Sequence, residues 1–136
     1  GLRIGFAIAQ PALTDLMNRI RQPFNVNSLA QAAAIAALND KAFLEQSARN
    51  NAAGYQQFTK AFDALGLEYV PSHGNFVLVK VGDDDEAGAR VNLALLKQGV
   101  IVRPVGSYGL PQWLRISIGL PQENAIFIAA LTKALA

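Results

Sequence analysis

No cysteine occurs in the 136 residues, which excludes disulfides, thiolate metal sites and cysteine nucleophiles. Histidine is down to one residue, His73, too few for most histidine-built metal sites, so no metal is expected. Charge of one sign is missing as well. Twelve basic residues against ten acidic leave a net charge of +2, and the basic residues are scattered. A phosphate-backbone footprint needs a cluster, so nucleic acid is not an expected partner. No apolar run reaches the roughly 18–20 residues that cross a bilayer. The most apolar stretch, residues 29–38, is short and alanine-rich and reads as a buried helix. Nor does a basic stretch with an apolar core and cleavage site open the sequence. No membrane partner and a cytoplasmic location are the expectations. Methionine is scarce too: Met17 is the only one. Gly1 is therefore not expected to be a translation start, and the chain reads as part of a longer polypeptide.

What is present points to a packed interior. Hydrophobic residues make up 51% of the chain, more than a disordered segment carries. Residues 2–9 mix Ile4, Phe6 and Ile8 with small residues, as a buried strand would. Pro11 opens a helix to about Arg21, with Leu13, Leu16, Met17 and Ile20 on one face. Asn27 or Ser28 can cap the next helix, which runs to about Leu38. A long helix over 41–65 follows, with Gly66 as its C-terminal cap. Gly54 inside it costs roughly 1 kcal/mol against alanine, which predicts a close contact or a bend there. From Gly66 onward short elements alternate: strands 67–70 and 75–81, helix 86–98 ended by Gly99, strands 100–105 and 114–118, and a last helix 122–136 begun by Pro121. The pattern predicts an α+β layer, a small mainly antiparallel sheet with helices on one face. The boundary between domains is expected near residues 40–43.

Three arginines interrupt apolar strands. Arg3 lies in Gly1-Leu-Arg-Ile-Gly, Arg103 in Val-Ile-Val-Arg-Pro, and Arg115 in Trp-Leu-Arg-Ile-Ser. An unpaired charge is expensive to bury, so each either reaches solvent or meets an anion. If strands 100–105 and 114–118 pair, Arg103 and Arg115 either clamp one anion, as arginine does bidentately, or lie on the polar side of a half-exposed sheet. Residue type alone leaves both open. Asn75, after the turn Pro71-Ser-His-Gly, is a turn residue or a ligand contact. His73 reads as a loop residue. Tyr108, in the Gly/Pro-rich loop 106–111, either packs or covers a site. No Gly-x-x-x-x-Gly-Lys, Gly-x-Gly-x-x-Gly or Gly-x-Ser-x-Gly motif is present.

Four stretches, in order, carry a resemblance: Gly1-Leu-Arg-Ile-Gly-Phe-Ala-Ile-Ala, Arg21-Gln-Pro-Phe-Asn-Val-Asn-Ser, Asn75-Phe-Val-Leu-Val, and Val100-Ile-Val-Arg-Pro through Leu114-Arg-Ile-Ser-Ile-Gly. Together they resemble the fold-type I aminotransferases, and the histidinol-phosphate aminotransferase branch in particular, over nearly the whole chain. The resemblance implies a pyridoxal-phosphate enzyme of histidine biosynthesis. It would pass an amino group between L-histidinol phosphate and 2-oxoglutarate and would work as a homodimer. Residues 1–42 would then end the cofactor domain, and 43–136 would form the C-terminal small domain. Arg3 matches the arginine that holds the cofactor phosphate. Arg115 matches the receiver of the substrate's acidic end, Arg103 a second anion contact, and Asn75 a position near the substrate pocket. The cofactor lysine, the aspartate on the pyridine nitrogen and the stacking aromatic would all lie upstream of Gly1. No catalytic residue is therefore assigned within the chain, which alone is expected to be inactive. The alternatives are an aromatic aminotransferase of the same fold, a phospho-amino-acid decarboxylase, and, from another class, a small regulatory ligand-binding module.

Overall fold

The computed structural model describes residues 1–136. Three helices come first: α1 (Pro11–Ile20), α2 (Ser28–Asn39) and α3 (Lys41–Ala64). Strands β1 (Tyr69–Val70) and β2 (Phe76–Lys80), helix α4 (Ala87–Leu96), strands β3 (Arg103–Pro104) and β4 (Trp113–Ser117), and helix α5 (Pro121–Leu135) follow. Local chemistry sets the ends. Pro11 and Pro121 start α1 and α5, where a missing N–H costs no helical bond. The Asn27 side chain accepts the Ala30 N–H at 2.8 Å and caps α2. Asp40 accepts the Phe43 N–H at 3.1 Å at the head of α3. Gly66 and Gly99 take the left-handed φ values of 66° and 78° that stop α3 and α4.

Two compact units divide the chain, Gly1–Glu45 and Gln46–Ala136. In the first, the strand expected over 2–9 does not form, and residues 1–10 have no regular structure. A strand needs a neighbour for its amides. All four strands of the sheet belong to the second unit, and Arg3, at φ 58°, departs from extended geometry. The apolar stripe of α1 (Leu13, Leu16, Met17, Ile20) is exposed. Helix α2 is also not the buried helix its composition suggests. Ala30 is its one buried residue, while Leu29, Ile35 and Leu38 are exposed. A helix apolar all round needs covering on several sides, and this unit covers only the side that carries Ala30.

The second unit has the expected architecture. Its sheet runs β1-β2-β4-β3, antiparallel throughout. Alternation sends Val77, Val79, Leu114 and Ile116 to one face, where they pack with Phe58 and Phe62 of α3, Leu95 of α4, and Phe127 and Leu131 of α5. Phe127 meets Phe58 edge-on at 5.3 Å between centroids. The contact expected at Gly54 is there: an added Cβ would collide with the Ile118 methyl and the Asn124 amide. Two strands are shorter than expected, Tyr69–Val70 in place of 67–70 and Arg103–Pro104 in place of 100–105. Pro104 has no N–H to donate, and such a residue suits the edge position that β3 holds. No helix is long and apolar enough to cross a membrane.

Candidate functional site

The β3/β4 pairing sets Arg103 directly opposite Arg115, with Pro104 opposite Leu114. Directly opposed residues project to the same face and are close neighbours. Leu114 belongs to the core, so the two guanidiniums share the face that the helices leave uncovered. Like charges placed this way repel. Neither arginine forms an ion pair. Elsewhere in the unit the opposite holds for Arg90, which Asp84 receives at 2.8 and 3.1 Å. That hydrogen-bonded guanidinium holds the Asp84 carboxyl at about 2.

Arg115 has two further features. Its Nε is buried and has no hydrogen-bond partner, a state that costs free energy unless an acceptor arrives. Its guanidinium carbon stands 5.0 Å from the centre of the Phe76 ring. In the β2/β4 register Phe76 is opposite Ser117, and Leu78 is opposite Arg115. Phe76 is thus the diagonal neighbour of Arg115 on the same face.

Beside the β3 edge opens a groove of about 590 Å³, lined by Arg103, Arg115, Ser117, Glu123 and Ile126 among others. A polar network centred on the buried Asn124 holds part of its lining, the turn from β4 into α5. Asn124, 2% exposed, accepts the Gly119 N–H at 2.9 Å and donates to the Gln57 side-chain carbonyl at 3.2 Å. Asn50 donates to the Gly119 carbonyl at 3.0 Å, and Gln57 to the Pro121 carbonyl at 3.2 Å. Glu123 accepts the Leu120 N–H at 2.7 Å. Sequence reasoning did not single out Asn50, Gln57 or Asn124, which look like ordinary helix polar residues. Gly54 was the available signal, because its bare Cα makes room for Asn124.

The other sequence candidates lie apart from this pair. Asn75 precedes β2, and its carbonyl accepts the Ile118 N–H at 2.8 Å. Alternation places it with Val77 instead of Phe76, so its carboxamide is not brought beside the arginines. His73 and Tyr108 are exposed, and neither lines the groove. Arg3 belongs to the first unit, where it is exposed and forms no ion pair. In that unit too, Arg21 braces the loop after α1 through Asn18 at 3.0 Å and Asn25 at 3.2 Å.

Comparison with known proteins adds the family. The aminotransferase class I and II family matches residues 1–131. A histidinol-phosphate aminotransferase of Ralstonia nicotianae is 78% identical over all of this chain and 36% of its own length. One of Cupriavidus pinatubonensis is 73% identical over 99% of the chain and 36% of its length. The chain thus spans about a third of these relatives. Among solved structures, histidinol-phosphate aminotransferase from Sinorhizobium meliloti, in complex with pyridoxal-5'-phosphate, superposes with a TM-score of 0.78 at 29% identity. It covers 92% of this chain and 34% of that one. L-threonine-O-3-phosphate decarboxylase from Porphyromonas gingivalis shares the fold, with a TM-score of 0.69 at 23% identity over 94% of this chain and 40% of its own.

Proposed function

The chain belongs to the class I and II aminotransferases, and on that premise we propose that its parent protein is a histidinol-phosphate aminotransferase. The reaction is amino transfer between L-histidinol phosphate and 2-oxoglutarate. One observation carries the choice of substrate: Arg103 and Arg115 are cross-strand neighbours on the open face, uncommitted to any carboxylate, with a buried Arg115 Nε still wanting an acceptor. A carboxylate is satisfied by one guanidinium fork, whereas a phosphate dianion has charge and oxygens for two.

The cofactor of such an enzyme is pyridoxal phosphate, and the residues present fit its phosphate. Arg3 carries an uncommitted guanidinium between Gly1 and Gly5, where a Cβ would meet nothing within 4 Å, so an anion can approach the backbone closely. When bound, the cofactor supplies the electron sink that transamination requires. The chain's own residues do the holding. Arg3 binds the cofactor phosphate, and Arg115 and Arg103 bind the substrate phosphate; Asn75, on the other face of the sheet from the two arginines, approaches the substrate from the turn ahead of β2. Two anchored anions leave the reacting carbon little freedom, which is how positioning lowers a barrier. Residues 1–42 end the cofactor domain and 43–136 form the small domain. The active protein is a cytoplasmic homodimer.

The test is an assay of the full-length parent, loaded with cofactor, for glutamate formed from L-histidinol phosphate and 2-oxoglutarate. Turnover is expected. Preference for unphosphorylated aromatic amino acids, or release of carbon dioxide from a phospho-amino acid, would replace this reading with one of its two rivals.

A further inference from the structure

Arg115 poses a physical problem that its neighbours answer in an uncommon way. A long, flexible guanidinium must be held in place before an anion arrives. The usual holder is a carboxylate, as Asp84 is for Arg90. A carboxylate beside Arg115 would take up the fork's donors and cancel the charge that the substrate is to meet. An aromatic face does neither. Its quadrupole attracts the cation, and stacking leaves the in-plane N–H donors free.

We infer that Phe76 is the positioning residue for Arg115, its ring holding the guanidinium oriented and uncommitted so that, with Arg103, it receives a phosphate-bearing substrate. The inference rests on the function proposed above. Its support is geometric. The ring centre lies 5.0 Å from the guanidinium carbon. Because β4 runs between β2 and β3, Phe76 and Arg103 flank Arg115 from opposite sides. Attraction to the ring and repulsion from Arg103 therefore pull Arg115 the same way, toward β2. This keeps a gap between the two guanidiniums in which a dianion can sit. Phe76 is also 36% exposed and outside the buried core, so its aromatic face matters here more than its volume.

The experiment uses the full-length, cofactor-loaded parent with Phe76→Leu, Phe76→Tyr and Arg115→Ala. Inorganic phosphate is titrated calorimetrically, and KM and kcat are measured with L-histidinol phosphate at saturating 2-oxoglutarate. Phe76→Leu should weaken phosphate binding and raise KM roughly three- to tenfold, the range of a cation–π contact, with kcat little changed. Phe76→Tyr, which keeps the ring, should restore both. If Arg115→Ala abolishes phosphate binding while Phe76→Leu leaves it intact, the inference is wrong and the site stands. Equal losses in the Leu and Tyr variants would also overturn it, because the ring face would not be the cause. Phosphate binding that survives Arg115→Ala would refute the assignment of the site itself, and the inference with it.

Discussion

Gly1–Glu45 and Gln46–Ala136 draw on the same kinds of residue and dispose of them in opposite ways. The second unit turns its apolar positions inward. Phe58, Phe62, Val77, Val79, Leu95, Leu114 and Leu131 form one buried cluster between three helices and a sheet. The first has helices with caps and an apolar stripe of the right period, yet Ala30 is its single buried residue. Ile20 is 84% exposed and Phe24 98%. Helical periodicity is a local property, readable in either unit. Burial depends on what lies opposite, and only the second unit contains both sides of its own core.

The largest effect that would test this contrast is on stability. Phe62→Ala in the 136-residue chain should cost roughly 3–5 kcal/mol through lost transfer energy and a cavity. Ile20→Ala, at an exposed position, should stay within about 0.5 kcal/mol. Urea denaturation reads both, and equal losses would erase the distinction between the units.

In the parent the same division should appear as two separable functions. Arg115→Ala should lose roughly 2–5 kcal/mol in kcat/KM for the phosphorylated substrate while cofactor is retained. Arg3→Ala should instead loosen the cofactor, seen as its release on gel filtration. Equal effects of the two on cofactor retention would contradict the assignment. A smaller loss, about 1–3 kcal/mol, is expected for Asn124→Leu in urea denaturation, since it orphans the Gly119 and Gln57 groups that Asn124 satisfies. An unchanged midpoint would make the network incidental.

The smallest effect concerns pH. The Arg90 guanidinium holds Asp84 at about 2, below its ordinary 3.8. A carboxyl depressed in the folded state adds stability above its ordinary value, and that contribution is lost as pH falls through the folded value. Asp84→Asn should therefore flatten the acid side of the stability curve between about pH 4 and 2, and should lose near neutrality the small contribution of this exposed pair. A profile identical to that of the unsubstituted chain would remove the pair from the account.

Most helices and the sheet of the second unit were legible because caps, glycines and alternation are local signals: Asn27, Gly66 and the Val77/Val79 against Phe76/Leu78 alternation each name their element. What the sequence misplaced depends on partners. Residues 2–9 have a strand's composition and no strand to pair with, and residues 29–38 have a core helix's composition and little to pack on. The site was half legible. Arg103 and Arg115 stood out as charges in apolar runs, but only the register puts them side by side. Phe76 gave no signal, because an aromatic in a strand reads as core. Asn124 gave none either, since its role depends on Gly119 and Gln57, which meet it only after folding.

The central claim is that two guanidiniums on one sheet face select a phosphorylated substrate, and Arg103→Ala in the full-length parent tests it most directly. The quantity to measure is the ratio of kcat/KM for L-histidinol phosphate to that for an unphosphorylated aromatic amino acid. Arg103 is the fork that a carboxylate does not need. The account predicts that the ratio falls roughly tenfold or more, through loss of the phosphorylated substrate alone. A ratio that stays constant while both activities drop together would make Arg103 a structural residue and contradict the account.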